Sequence, residues 1–205
     1  SEGNTDTNYT GSHNLGFLWT DATNSPAPSS TVPTKLADTG YTFTAGVYTS
    51  TGGQFALYND ADTAAFMAVS GDVATGNSPT FSVTPATASQ AIITSPTNLS
   101  QTAGAGFNIT VTVYDPYDNV DTNYTSGTTT YNWSGTTAAE FGGATADVLA
   151  SATQTYTAGV FTTTTTPFVL YNEWDGTSPT LNITAPFAAS LSNFEASDDA
   201  TVKHV

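Results

Sequence analysis

Apolar and polar residues alternate along much of the chain with a period of two, the spacing at which a β-strand sends successive side chains to opposite faces. In FNITVTV (107–113), Phe107, Ile109, Val111 and Val113 fall on one face and Asn108, Thr110 and Thr112 on the other. The same split separates Tyr131 and Trp133 from Asn132, and Leu181 and Ile183 from Asn182. Turn-forming clusters interrupt these runs at DPYDN (115–119), SGT (126–128), GG (142–143) and TAG (157–159). Short strands between turns, with no helical periodicity longer than one turn, predict an all-β chain of sandwich type.

The pattern occurs twice. NTDTNYT (4–10) matches NVDTNYT (119–125), and FLW (17–19) matches YNW (131–133). TFTAGVYTS (42–50) matches TYTAGVFTT (155–163), FALYND (55–60) matches FVLYNE (168–173), and SPTFSVT (78–84) matches SPTLNIT (178–184). The shift drifts from 115 to 113 over four blocks and then drops to 100. That drop assigns ADTAAFMAVSGDVATG (61–76) to an insertion in the first copy, with Phe66, Met67 and Val69 packing locally. A chain of 205 residues holds two domains of roughly 100 residues each.

TAGAGFNITVTVYDPYDNVDTNYT (102–125) resembles the opening of the bacterial and archaeal immunoglobulin-like repeats of surface adhesins, invasin-type stalks and filamin-like arrays. There a Gly-rich lead-in precedes an alternating strand, an Asp-x-x-Gly-Asn-like turn and a Tyr-Thr step. Asp118 stands here where that family usually has Gly, and Asp also accepts turn conformations. The resemblance implies two tandem Ig-like β-sandwiches, residues 1–89 and 90–190, followed by a tail at 191–205. It implies an extracellular, cell-surface location more than any particular activity.

The second copy is led by SQAIITSPTNLSQTAGAGFNITVTVYD (89–115), whereas the first begins close to its NTDTNYT block. A sandwich without its leading strands exposes core side chains and unpaired backbone groups, so the first domain is expected to be incomplete and closed by a donated strand. The tail supplies the candidate donor, Ala200, Thr201, Val202, Lys203, His204 and Val205. Strand addition that does not close on itself builds a head-to-tail homopolymer of copies of the chain. This layout resembles donor-strand filament subunits such as pilins, archaeal threads and bundling pili. Lys203 is in addition an isopeptide candidate, set against an ordinary solvated lysine. The competing layout is a two-repeat segment of a longer surface-layer or adhesin protein with a glycan-binding role.

Composition narrows the partners. With 38% hydrophobic and 9% charged residues the chain is too apolar for disorder and too poor in Glu, Lys, Arg and Leu for a helical protein. Seventeen acidic residues against Lys35 and Lys203 give a net charge of −15. Such a field repels phosphate backbones and anionic lipid, so no nucleic acid partner is expected. No apolar run of about 18 residues predicts a membrane-inserted helix. Cysteine is absent, which excludes disulfides and thiolate chemistry.

Candidate chemistry is sparse. The two histidines, His13 and His204, sit in no hydrolase or metal motif, and no nucleophile is paired with a base, so the chain is read as no enzyme and as needing no cofactor. Asp115, Asp118, Asn119 and Asp121 form the best oxygen set for Ca²⁺, with a satisfied Asx turn as the competing reading. Six Asn-x-Ser/Thr sequons, at Asn8, Asn98, Asn108, Asn123, Asn132 and Asn182, are candidates for N-linked glycans. Asn108, Asn132 and Asn182 fall on the outward phase of their strands. Trp19 and Trp133 read as core anchors, and Trp174 as the one aromatic available for a ligand.

Overall fold

The computed structural model describes residues 4–72, 75–136, 143–172, 179–185 and 187–197, with residues 195–197 described by their backbone alone. Every regular element among them is a β-strand, arranged mainly in antiparallel sheets, as the alternation requires. The chain divides into two compact units, Ser1–Pro85 with Tyr117–Asn119, and Ala86–Pro116 with Val120–Val205.

In the first unit β1 (Gly11–Thr20), β2 (Thr39–Phe43), β3 (Phe66–Gly71) and β4 (Gly76–Asn77) form one antiparallel sheet in the order β2-β1-β3-β4. Trp19 lies opposite Met67 and Phe17 opposite Val69. The two-residue period turns Leu15, Phe17 and Trp19 to one face and leaves Leu18 exposed on the other. Phe17, Leu36 and Met67 are buried, and Trp19, Tyr41, Tyr48, Phe55 and Val69 pack half-buried around them.

The second unit is richer in strands. It contains β5 (Gln90–Ser95), β6 (Ser100–Thr102), β7 (Gly106–Phe107), β8 (Thr110–Tyr114), β9 (Ser126–Ser134) and β10 (Ala152–Thr155). These are followed by β11 (Val160–Thr162), β12 (Phe168–Val169), β13 (Thr180–Ala185), β14 (Ala189–Leu191) and β15 (Glu195–Ser197). One sheet runs β10-β9-β13-β14 and another β11-β8-β5, with β7 paired to β12 and β6 paired in parallel to β15. Inward residues of both sheets, among them Val111, Val113, Tyr131, Leu181 and Ile183, share one core, an arrangement consistent with a β-sandwich. Burying each such side chain stabilises the unit by about 1.5–3 kcal/mol.

Strand pairing revises the repeat at its fifth block. In the second unit β13 pairs with β9, so that Leu181 faces Trp133 and Ile183 faces Tyr131. In the first unit the partner of β1 is not SPTFSVT (78–84) but β3, within the stretch read as an insertion, with Met67 facing Trp19 and Val69 facing Phe17. Met67 and Val69 therefore stand where Leu181 and Ile183 stand, at an unbroken shift of 114. The correspondence continues beyond that strand. β4 pairs with β3 as β14 pairs with β13. Phe81 N donates to Ala65 O at 2.7 Å, and Phe194 N donates to Pro179 O at 3.2 Å. Phe81 is thus the counterpart of Phe194, not of Leu181, and the drop to 100 came from the shared letters Ser-Pro-Thr.

The same turn closes both units. In DTNYT, Asn8 N donates to Asp6 Oδ1 at 2.9 Å and Asn123 N to Asp121 Oδ1 at 3.0 Å, the Asx turn favoured by aspartate. Ala45–Gly46 and Ala158–Gly159 both take positive φ and dock on those turns, Gly46 N donating to Tyr9 O and Gly159 N to Tyr124 O. A Cβ at Gly159 would lie 2.6 Å from Asp121 O, so a side chain has no room there.

Candidate functional site: an apolar groove in the first unit

β1 and β3 supply one wall of an open groove of about 330 Å³, through Phe17, Trp19, Met67 and Val69. Leu36, Tyr48, Ser50, Phe55 and Phe81 supply the remainder, and among the described residues no charged side chain lines it. The walls are held in place by hydrogen bonds and ring contacts. Trp19 Nε1 donates to Thr34 O at 2.7 Å, as Trp133 Nε1 donates to Asp147 O at 2.9 Å. Phe17 meets Phe55 and Tyr41 edge-on at 5.4 and 5.7 Å. Asp38 Oδ1 accepts from Phe17 N at 2.9 Å and from Lys35 Nζ at 2.8 Å, and the lysine bond, followed by that to Phe17, holds the Asp38 carboxyl below its ordinary range. Loss of solvent, with Tyr48 adding, raises the Tyr41 phenol above its ordinary value.

The second unit shows what occupies the corresponding space. There β7 and β8 bring Phe107, Ile109, Val111 and Val113 against β11 and β12, and Phe107 stacks on Phe194 at 5.5 Å. Phe194 is 0% exposed, whereas its counterpart Phe81 is 44% exposed. Sequence reasoning did not single out Phe81, because the fifth block had matched it to a strand residue. An unbroken shift of 113–115 through the whole unit was the signal that finds it.

The other candidate residues lie elsewhere. Asn8, Asn98, Asn123 and Asn132 are exposed. Asn108 and Asn182 are half-buried: Asn108 Oδ1 accepts from Thr163 Oγ and Thr166 N, and Asn182 Nδ2 donates to Ser134 Oγ at 3.0 Å and Thr180 O at 3.2 Å. The proposed calcium ligands are engaged by backbone amides. In the second unit Asp115 Oδ2 accepts from Ala86 N, and Asp121 accepts from Ala88 N and Asn123 N. In the first, Asp118 Oδ2 accepts from Ser29 N, and Asn119 Oδ1 accepts from Asp60 N. Among the described residues no group of three or more acidic or histidine side chains is placed to hold a metal. Of the tail, Leu191 and Phe194 pack in the second unit. Ala200 to Val205, with Lys203, and Trp174 lie outside the described residues. No family model and no curated protein matches the sequence.

Proposed function

We propose that the protein is an extracellular structural subunit of a cell-surface filament or pilus, serving attachment or surface architecture and catalysing no reaction. Copies assemble head to tail, the groove of one first unit taking an extended segment of the next molecule, with residues 200–205 as the donor. The single observation that carries this reading is Phe81, 44% exposed beside an apolar groove, where Phe194 of the second unit is 0% exposed under a strand. An open apolar groove is what strand addition fills. The net charge of −15 suits a soluble exterior, and the exposed sequons suit N-linked glycans.

Electron microscopy of the full chain beside a chain ending at Ser197 tests the assembly. That cut keeps Phe194, whose loss would unfold part of the second core and confuse the outcome. Filaments from the full chain, absent after the cut, are expected. Fibres that persist without 198–205 would remove the tail as donor, and no fibres from either chain would remove the filament.

A second reading is favoured by the origin of the closing strands, since β5 to β8 come from the residues immediately before β9. In a longer surface-layer or adhesin protein, an upstream segment would close the first unit in the same way. N-terminal sequencing of the protein taken from its native surface separates the two: residues ahead of Ser1 that form strands favour the longer protein.

A further inference from the structure

Three aromatic rings surround Phe107 in the second unit: Phe194 at 5.5 Å, Phe168 at 6.0 Å and Trp133 at 6.2 Å between centroids. Their counterparts are Phe81, Phe55 and Trp19, and all three line the groove of the first unit. Trp19 keeps its edge-on contacts with Phe81 at 5.9 Å and Phe55 at 6.4 Å, so the box stands with its centre open. The backbone side of the site is repeated as well. Thr163 N donates to Ile109 O, Ile109 N donates to Thr163 Oγ, and Val113 N donates to Gly159 O, at 2.9–3.0 Å. The counterparts of Thr163 and Gly159 are Ser50, which lines the groove, and Gly46, whose φ of +80° matches the +78° of Gly159. Between them Val47 is 55% exposed.

We infer that the groove accepts an extended segment running antiparallel to Val47–Ser50, whose first inward side chain is aromatic and enters the box of Trp19, Phe55 and Phe81. Aliphatic side chains follow at every second position, the Phe-x-Ile-x-Val-x-Val pattern of residues 107–113. The best-fitting occupant is a strand of that repeat type from a second polypeptide, which displaces residues 200–205 where the two compete. This deepens the strand-acceptor reading above and rests on it. The specification is narrower than apolar affinity. A slip of one residue turns every apolar side chain away from the groove, and a small side chain at the first position leaves three ring faces uncovered. Residues 200–205 offer Ala200, Val202 and His204 in one phase and no Phe, Tyr or Trp, so a tail peptide fills the groove less well than a repeat-type strand.

The test refolds the full-length chain from denaturant at low concentration with an excess of the synthetic peptide AGAGFNITVTVYDP (103–116), so that peptide outcompetes chain–chain encounter. Hydrogen exchange followed by mass spectrometry is expected to slow across Val47–Ser50 and around Phe81, with saturable binding. A peptide carrying Phe107→Ala is expected to bind about tenfold more weakly or worse. One with inward and outward residues exchanged is expected not to bind. Exchange unchanged at Val47–Ser50, equal affinity for the altered peptides, or tighter binding of the 198–205 peptide would each overturn the inference. Filaments formed by a chain that ignores the repeat peptide defeat the register and leave assembly standing. Peptide binding by a chain that forms no filaments does the reverse.

Discussion

Phe81 meets Trp19 edge-on with ring centroids 5.9 Å apart, the contact that Phe194 makes with Trp133 at 5.1 Å. One chain therefore holds the same aromatic pair in two environments, and the difference is the strand that covers Phe194. Phe194→Ala opens a cavity in a closed core and is expected to destabilise the second unit by about 3–5 kcal/mol. Phe81→Ala removes a ring already half in water and is expected to cost about 1 kcal/mol in the unfilled first unit. Urea unfolding followed by tryptophan fluorescence measures both. Equal losses would show that the two rings are equally covered in solution.

The docking of Ala45–Gly46 and Ala158–Gly159 onto the DTNYT turns leaves those glycines no room for a side chain. Gly159→Ala places a methyl 2.6 Å from Asp121 O at a φ of +78°, and a loss of about 2–4 kcal/mol is expected. Gly104→Ala is the control, because its φ of +74° carries the left-handed strain while nothing lies within 4 Å of the added methyl. Its cost should stay near 1 kcal/mol. Thermal melts that rank the two in the opposite order would contradict the close approach.

How much of this was legible in the sequence depended on what each residue touches. Alternation located β8, β9 and β13, since a half-buried strand has to repeat every two residues, and the match of FLW to YNW carried β9 over to β1. The DTNYT and TAG blocks announced a shared turn because Asx geometry and a positive φ admit few residue types. β3 was hidden for the opposite reason. FMAVSG and TLNITA share only inward apolar character, Met67 for Leu181 and Val69 for Ile183, and a core accepts any residue of suitable size there. SPTFSVT misled because Ser, Pro and Thr are common throughout the chain, so three shared letters need not share a position in space. The groove itself could be anticipated only as an absence. Its aromatic walls became visible once Phe81 was paired with Phe194.

Alkaline solution should unfold the second unit through its tyrosines. Burial, with Tyr156 adding, pushes the Tyr131 phenol far above its ordinary value of 10.0, and burial likewise raises Tyr156. A phenol whose folded pKa is raised keeps its proton while the unfolded chain has begun to lose one. Its stabilising contribution is therefore whole below pH 10 and is lost as pH rises beyond it toward the folded value. Urea midpoints are expected to hold steady up to about pH 9 and fall steeply by about pH 11. Tyr131→Phe should leave stability at neutral pH within about 1 kcal/mol, because the hydroxyl it removes is buried and meets no hydrogen-bond geometry with any of the described residues. The variant should also move the alkaline midpoint upward. A midpoint unmoved by the substitution would remove Tyr131 from the account.

Asn132 and Asn182 face each other directly across β9 and β13, yet their amides differ in what they do. Asn132 is exposed, whereas Asn182 spends its Nδ2 on Ser134 Oγ and Thr180 O, the same nitrogen to which an N-linked glycan would attach. A glycan on Asn182 removes at least one of those bonds and crowds the strand opposite. In a glycosylating host, occupancy is therefore expected at Asn8, Asn98, Asn123 and Asn132 ahead of Asn108 and Asn182. The bare protein gives an independent measure: Asn182→Ala should cost about 1 kcal/mol, and Asn132→Ala close to nothing. Glycopeptide mapping that finds Asn182 filled and Asn132 empty would reverse the order, and an intact mass equal to the bare polypeptide would remove glycosylation altogether.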